Sequence, residues 1–145
     1  MSTKIPADAP ALIVPEFGRI ELGRRPVAHP GPGKVLIRTD FTGVSVGTFT
    51  PGYRGVGHIV GFGEGEERHG LTLGESVACF GDGTHGAYFI ADLELTYPIE
   101  ETDSYHMAAL FVPAAVGLNA INKAGLESGD TVLVLGQGLI GQATA

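Results

Sequence analysis

The sequence predicts a mainly β protein: a small barrel, a helical segment, and one strand leading through a glycine turn into a helix. Two features of composition favour the barrel. Of the 145 residues, 43 % are hydrophobic and 17 % charged, and 23 are glycine, as expected of a turn-rich chain that can bury a core. The helical segment is predicted by a separate feature, a change late in the chain to the hydrophobic period of a helix. We therefore divide the chain into a β domain (1–102), a helical bridge (103–126) and a strand–turn–helix segment (127–145).

Short apolar runs separated by glycine and proline account for the β domain. Runs of this length with turns between them are typical of the strands of a barrel or sandwich. We predict strands at 11–14, 35–41, 58–62, 76–80 and 87–91.

The helical bridge has recognisable start and stop signals. Asp103 or Ser104 can cap a helix. Pro113 then either kinks that helix or begins a second one at its first position. Gly125 is placed to end the helix in the left-handed conformation that glycine adopts readily.

A glycine pattern follows the bridge directly. Residues 131–135 form a continuous apolar run, as expected of a strand covered on both faces. Gly136 permits a tight turn, Gly138 lets the backbone approach a ligand closely, and Gly141 lets the following helix pack against the strand. A G-x-G-x-x-G alone is often an ordinary turn, but the strand before it and the helix after it favour a dinucleotide site.

The same turn predicts how a cofactor would be held. Backbone N–H groups at the helix start, at Leu139 and Ile140, and the helix dipole favour a pyrophosphate. We therefore expect NAD or NADP as the cofactor of a full-length parent. The residue that separates NAD from NADP lies about twenty positions further on, past Ala145, so the choice stays open.

Charge and cysteine content narrow the possible partners and metals. The formal net charge of -7 argues against nucleic acid and anionic membranes, and no apolar run is long enough to span a bilayer. One cysteine, Cys79, excludes an internal disulfide and a multi-cysteine zinc site. We expect a cytoplasmic protein, with a small-molecule substrate as the partner of a full-length parent.

Five motifs occur in a fixed order: PGPGKVLIR at 30–38, GVSVGT at 43–48, GYRGVG at 52–57, LGESV at 73–77 and LESGDTVLV at 126–134. In this order they resemble the medium-chain dehydrogenase/reductase superfamily, which includes the zinc-type alcohol dehydrogenases and has a GroES-like barrel as its N-terminal domain. The second and third motifs look most like the branch containing bacteriochlorophyllide dehydrogenases. The resemblance implies the N-terminal part of an NAD(P)-dependent oxidoreductase, truncated soon after its dinucleotide-binding domain begins.

The zinc-using members of that superfamily take a thiolate from the second motif and a His-Glu pair from the third. This chain has Ser45 or Val46 for the thiolate, Tyr53 for the histidine and Arg54 for the glutamate. None of these ligates readily at neutral pH, and a guanidinium repels a metal. We therefore expect no zinc.

The other possible metal ligands do not change this expectation. His58, His69 and His85 are scattered over turns, where histidines are usually surface residues rather than ligands. Cys79 lies in an apolar run and is expected to pack as a small buried hydrophobe.

Hydrogen-bond donors remain as candidate catalytic groups. Thr48 matches the hydroxyl that relays a proton in the superfamily, although a threonine in a turn often only satisfies backbone groups. Tyr53 can donate to a carbonyl oxygen in place of a metal, or it can be an aromatic packed at a strand edge. Arg54 can pair with an acidic substrate group or with a carboxylate such as Glu75.

Two hypotheses for the function remain. In the first, the chain belongs to a zinc-independent oxidoreductase that transfers a hydride to or from a carbonyl, alcohol or activated double bond, and it is inactive alone. In the second, it is a non-catalytic GroES-like module. Both predict a homo-oligomer, because residues 132–135 and the helix at 113–123 present apolar side chains that the barrel does not cover.

Overall fold

The computed structural model describes residues 4–16, 19–44, 52–65, 69–100 and 104–145. They form two compact units, Met1–Ala109 and Leu110–Ala145. The first unit contains β1 (Asp8–Glu16), β2 (Arg19–Pro26), β3 (Lys34–Thr42), β4 (Arg54–Phe62), β5 (Ser76–Asp82), β6 (Tyr88–Pro98) and α1 (Tyr105–Ala108). The second contains α2 (Phe111–Ala124) and α3 (Leu139–Thr144).

Strands β3 to β6 close into an antiparallel barrel. β3 pairs with β4 and β6, and β5 pairs with β4 and β6, so the ladder has no free edge. Alternating side chains point inward and form one apolar core. Its buried members are Val35, Ile37, Ile59, Leu71, Val77, Cys79, Phe89, Ala91 and Leu93. The predicted mainly β class with a small barrel is confirmed.

A second, two-stranded sheet pairs β1 with β2. The middle of β1, at 11–14, was predicted from the sequence, but β2 was missed. The run RIELGRRP is rich in charge, and its alternation is limited to Ile20 and Leu22. β1 also bonds to the loop before β6: Leu12 N–H donates to His85 O at 2.8 Å and Ala87 N–H donates to Pro10 O at 2.8 Å.

Helix α1 packs against the barrel. The Tyr105 hydroxyl donates to Ser76 Oγ at 2.7 Å, and the Phe41 ring lies edge-on to Tyr105 at 6.4 Å and 4.2 Å from the ring of His106. Ser104 is the N-cap residue, although its side chain makes no capping bond. The predicted alternative, Asp103, lies outside the described residues.

The helices of the second unit follow the predicted signals in part. Ala109 and Leu110 separate α1 from α2, and Pro113 is the third residue of α2 rather than its first. Gly125 ends α2 in the left-handed conformation, with φ 66° and ψ 33°. Gly117 faces α3 closely, because a Cβ there would lie 2.7 Å from Thr144 Oγ1. No helix in the described part of the chain is long and apolar enough to cross a membrane.

The predicted strand at 131–135 is not formed. These residues pair with no strand in the described part of the chain, and Leu133 and Leu135 are 81 % and 87 % exposed rather than buried. A strand exists only through hydrogen bonds to a neighbour, and none lies beside this segment in its unit. The predicted strand is therefore wrong for this chain, whereas the exposure of its apolar side chains agrees with the expectation that the barrel does not cover them.

Candidate functional site

The first residue of β4, Arg54, places a charged side chain inside the barrel wall. Gly52 has φ +97°, and its carbonyl accepts from the N–H of Gly83 at 2.9 Å. This turn leads into Tyr53 and then into the ladder at Arg54, which pairs with Phe80 of β5. Tyr53 is half-buried and Arg54 is fully buried.

Arg54 is held by its sequence neighbour and not by a carboxylate. Its Nη1 donates to the Tyr53 hydroxyl, and its Cζ lies 4.8 Å from the centroid of the Tyr53 ring. Its Nε and Nη2 are buried and have no hydrogen-bond partner among the described residues. The Tyr53 ring also packs against Phe80 at 5.7 Å. The tyrosine is thus a packed aromatic that still has its own hydroxyl proton to donate.

Polar side chains from two neighbouring segments complete the site. Thr42 Oγ1 donates to the Arg54 carbonyl at 3.0 Å, and it lies 3.1 Å from Thr84 Oγ1 and 2.9 Å from His85 Nδ1. Thr84 is fully buried and His85 half-buried. We refer to Thr42, Tyr53, Arg54, Thr84 and His85 as the Arg54 cluster.

The cluster is electropositive and carries no acid. Burial lowers the pKa of His85 below its ordinary value, and the charge of Arg54 lowers that pKa further. Both causes disfavour a second positive charge next to the guanidinium. His85 is therefore neutral at neutral pH and can accept or donate a hydrogen bond at Nδ1 according to its tautomer.

Glu75, named as one of two alternative partners of Arg54, does not pair with it in the described structure. The Glu75 carboxylate accepts instead from the Thr72 N–H at 2.7 Å and the Thr72 hydroxyl at 3.2 Å. This closes the turn before β5 locally. Glu75 is thus not the partner of Arg54, and pairing of Arg54 with an acidic substrate group stays an expectation.

Several candidate residues fall outside the described part of the chain. Thr48, the candidate proton relay, is one of them, and so are Ser45 and Val46, which stand where the superfamily has a thiolate.

The remaining candidate metal ligands are spread apart or engaged elsewhere. His58 pairs with Asp40 at 3.0 Å, and exposed His69 has φ +48° in a turn. Cys79 is fully buried, and burial raises the pKa of its thiol to about 12, as expected of a core residue. Within the described ranges no three His, Cys, Asp or Glu side chains lie close enough to hold one metal ion.

The second candidate site is the glycine turn at 136–141, in the other unit. Gly136 has φ +102°, so a side chain there would be strained. A Cβ at Gly141 would collide with the Gly136 carbonyl oxygen. Gly138 precedes α3 in an extended conformation, with φ -73° and ψ -177°, and a Cβ there would meet nothing within 4 Å.

The positive φ angle requires glycine at 136 and the close packing requires it at 141, whereas neither reason applies to Gly138. The first internal bond of α3 is from Gln142 N–H to Gly138 O at 2.9 Å, so the N–H groups of Leu139, Ile140 and Gly141 make no bond within the helix. The free space beside Gly138 and the three N–H groups that make no bond within α3 could together accommodate a phosphate group.

Sequence reasoning missed Thr42 and Thr84 and considered His85 only as a metal ligand. The contacts among them join residues 42 or 43 positions apart. The only local signal is the proximity of Thr84 and His85 to Gly83 and Gly86 in the turn before β6, which marks a close backbone approach without naming a role.

Comparisons with known proteins agree with this fold. No family model matches the chain. Sorbitol dehydrogenase of Gallus gallus is 24 % identical over 177 residues, covering 90 % of this chain and 49 % of that protein. Prostaglandin reductase-3 of Bos taurus is 26 % identical over 151 residues, covering 90 % of this chain and 40 % of that protein.

A solved structure shows the same fold. Acetophenone reductase from Geotrichum candidum, in complex with NAD, superposes with a TM-score of 0.84 at 18 % identity and covers 98 % of this chain and 55 % of its own. The chain spans about half the length, or less, of the curated relatives it matches.

Proposed function

We propose that this chain, whose likeness to the medium-chain dehydrogenase/reductase superfamily is borne out by these relatives, supplies part of a zinc-independent, NAD(P)-dependent oxidoreductase. The observation that carries the proposal is the glycine turn. Gly138 lies in a conformation open to any residue and has free space where a side chain would stand. A ligand that binds close to the backbone leaves no room for a side chain at this position, and this explains Gly138 where the fold alone does not.

In this proposal Gly136 to Gly141 hold the pyrophosphate of the cofactor. The N–H groups of Leu139, Ile140 and Gly141 donate to its oxygens. When bound, the nicotinamide supplies or accepts the hydride. NAD is the cofactor in the structure of the acetophenone reductase, while the choice between NAD and NADP for this chain stays open.

Tyr53 is the proposed electrophile. Its hydroxyl accepts from Arg54 Nη1 and so keeps its own proton for a substrate carbonyl oxygen. The neighbouring positive charge stabilises negative charge that develops on that oxygen. Thr48 stays a candidate for relaying the proton.

The absence of zinc is likewise a proposal, supported by Arg54. A fully buried guanidinium, with no carboxylate paired to it among the residues that the structure describes, stands where the resemblance places a glutamate in zinc-using members. Placing a divalent cation beside it is electrostatically unfavourable.

Two measurements test these proposals on the chain itself. Elemental analysis of protein purified without a histidine tag should find no stoichiometric zinc, and zinc that resists a mild chelator would contradict the proposal. Calorimetric titration with NADH and with NADPH should give no tight binding, because adenine and ribose contacts come from later strands of such a domain. A low micromolar dissociation constant for either would refute that expectation.

Activity is tested on the product of the complete reading frame. NADH- or NADPH-dependent reduction of aldehydes, ketones and enones should be measured for wild type and for Tyr53→Phe, which keeps the ring and removes the hydroxyl. Loss of one such donor lowers kcat by about 10²–10³-fold, with little change in KM. An unchanged kcat would exclude Tyr53 as the electrophile.

The alternative is a self-associating module without catalysis. The observation that favours it is the exposed apolar surface of the second unit, including Leu133 and Leu135. If the reading frame ends at Ala145, this alternative is preferred. A hundred or more further residues in a βαβ pattern favour the oxidoreductase.

A further inference from the structure

A cavity of about 360 Å³ lies on the outer face of the barrel. The end of β2 and the segment after it form one wall, and residues of β3, β5 and β6 form the rest. None of the residues that line it belongs to the Arg54 cluster or to the glycine turn at 136–141. Its volume is in the range of small-molecule sites, about 300–1,000 Å³, so the chemistry of its lining indicates what it can bind.

The floor of this cavity is formed by three paired strands. The inward side chains of β3 and β6 belong to the barrel core, so the alternate side chains point outward. Leu36 pairs with Ile90, and Ile90 pairs on its other side with Asp82. In the next outward row Lys34 pairs with Asp92, and the two side chains form an ion pair. The floor is therefore an apolar pair, Leu36 and Ile90, with the Asp82 carboxylate at one edge.

Arg25 lines the cavity as a guanidinium that the backbone holds in place. Its Nη2 donates to the Gly83 carbonyl at 2.7 Å and to the Tyr88 carbonyl at 3.1 Å. A Cβ at Gly83 would overlap the guanidinium, so the group packs directly on that glycine. Its Nη1 has no partner among the described residues. Nη1 is also accessible, because the only unpaired side-chain nitrogens or oxygens that are buried in the described residues belong to Arg54.

The lining of the cavity leaves one charge of each sign without a partner. Lys34 and Asp92 neutralise each other, whereas neither Arg25 nor Asp82 takes part in an ion pair of the described residues. Asp82 directly precedes Gly83, on which the guanidinium packs, so both unpaired charges border the same end of the cavity. One is a hydrogen-bond donor and the other an acceptor. This pattern is complementary to a ligand that carries both charges.

We propose that this cavity binds a free α-amino acid with an apolar side chain, such as leucine. The carboxylate accepts a charge-assisted hydrogen bond from Arg25 Nη1, and the ammonium group donates to Asp82. The aliphatic side chain of the ligand covers Leu36 and Ile90. A zwitterion balances both unpaired charges, whereas a simple anion or cation balances one and leaves the other. The site lies in the first unit and needs neither cofactor nor hydride transfer, so it goes beyond the proposed function.

The first experiment uses a series of ligands and the wild-type 145-residue chain, so it does not depend on any variant folding. L-leucine is compared at pH 7 with N-acetyl-L-leucine, which lacks the ammonium group, with L-leucinamide, which lacks the carboxylate, and with glycine, which lacks the side chain. At 10 mM, L-leucine should raise the midpoint of thermal unfolding by about 3–6 °C if its dissociation constant is about 1 mM. The three analogues should each give a clearly smaller shift.

Two variants remove one charge each from the cavity. Asp82→Asn changes an exposed side chain at nearly constant size, and Arg25→Met removes the guanidinium together with its two bonds to the backbone. Both should abolish the shift caused by L-leucine. Glu21→Gln and Arg24→Met are the matched controls, because they remove exposed charges of β2 that do not line the cavity, and both should retain the shift. Asp82→Asn decides the comparison if Arg25→Met does not fold.

A second readout locates the ligand. On titration of the wild-type chain with L-leucine, the backbone amide resonances of Asp82, Gly83 and Ile90 should move and saturate, while that of Gly138 in the second unit should not. The absence of saturable movement at the first three overturns the proposal. An equal stabilisation by any of the three analogues, or one that persists in Asp82→Asn, overturns it as well. Neither readout uses cofactor or turnover, so this proposal can fail while the oxidoreductase proposal stands.

Discussion

The two units of this chain differ in how completely they bury their apolar side chains. In the first, Val35, Ile37 and Val77 are fully buried by four strands that close on themselves. In the second, Leu133 and Leu135 are more than four-fifths exposed, and only Pro113 and Gly117 of its helices are buried. A barrel pairs every strand within itself, whereas the start of a parallel sheet needs further strands and helices to cover it.

Thiol reactivity gives the largest expected contrast between the units. Cys79 is fully buried with a pKa of about 12, so at pH 8 it reacts only when the barrel opens. The variant Leu133→Cys adds an exposed thiol with an ordinary pKa. It should react with a disulfide reagent at least about a thousandfold faster, because the Cys79 thiol is both shielded from the reagent and, with its raised pKa, ionised to a far smaller fraction.

Stopped-flow labelling of wild type and Leu133→Cys measures this contrast. Equal rates for the two thiols would show that the barrel is no better closed than the second unit. The raised pKa also implies a pH dependence. Unfolded chains ionise Cys79 near its ordinary pKa of 9.0 and folded ones near 12, so stability is lost as the pH rises between these values. Cys79→Ala is the control for other groups that titrate there.

Shortening one apolar side chain in each unit compares the two units through the free energy of unfolding. Ile37→Ala removes a fully buried side chain from the barrel and should lower the free energy of unfolding by about 2–5 kcal/mol. Leu133→Ala removes an exposed side chain and should change it by less than about 0.5 kcal/mol. Urea unfolding followed by circular dichroism measures both, and similar losses for the two variants would contradict the comparison.

The exposed surface of the second unit predicts self-association. Leu133→Lys places a charge on the apolar segment and should lower the average mass seen by light scattering after gel filtration. Leu22→Lys is the matched control, since Leu22 of β2 is 79 % exposed in a strand that already has its partner. A monomeric wild-type chain at high concentration, or an equal effect of both variants, would count against association through the second unit.

The smallest expected effect is on His85. Burial and the Arg54 charge lower its pKa, so protonation is linked to loss of stability as the pH falls below the ordinary value of 6.5. Arg54→Met removes the second cause and should raise the His85 pKa part of the way towards 6.5. The ring proton shifts of His85 measure this by NMR titration, and an unchanged pKa would place the guanidinium too far away to act.

Local signals in the sequence predicted most of the barrel and the backbone of the glycine turn. The apolar runs around Ile37, Ile59 and Val77 lie in the strands where they were expected, because a short apolar run between turn residues is a local property of the sequence. Gly136 and Gly125 have the positive φ angles that their turn and cap required. β2 was missed, because its pairing with β1 depends on a partner strand and not on its own composition.

By itself the sequence determined the glycine turns and the short apolar runs of the barrel, and by resemblance it led to the expectation that Tyr53 and Arg54 stand where zinc ligands would be. Only the tertiary structure decided that Thr42 contacts His85 across 43 positions. Within the described residues it also decided that Arg54 is buried with two unbonded donors and that residues 131–135 pair with no strand. Backbone angles and side-chain period are properties of neighbours along the chain. Burial and hydrogen-bond partners depend on which distant segments the closed barrel brings together, and on which ones the second unit leaves apart.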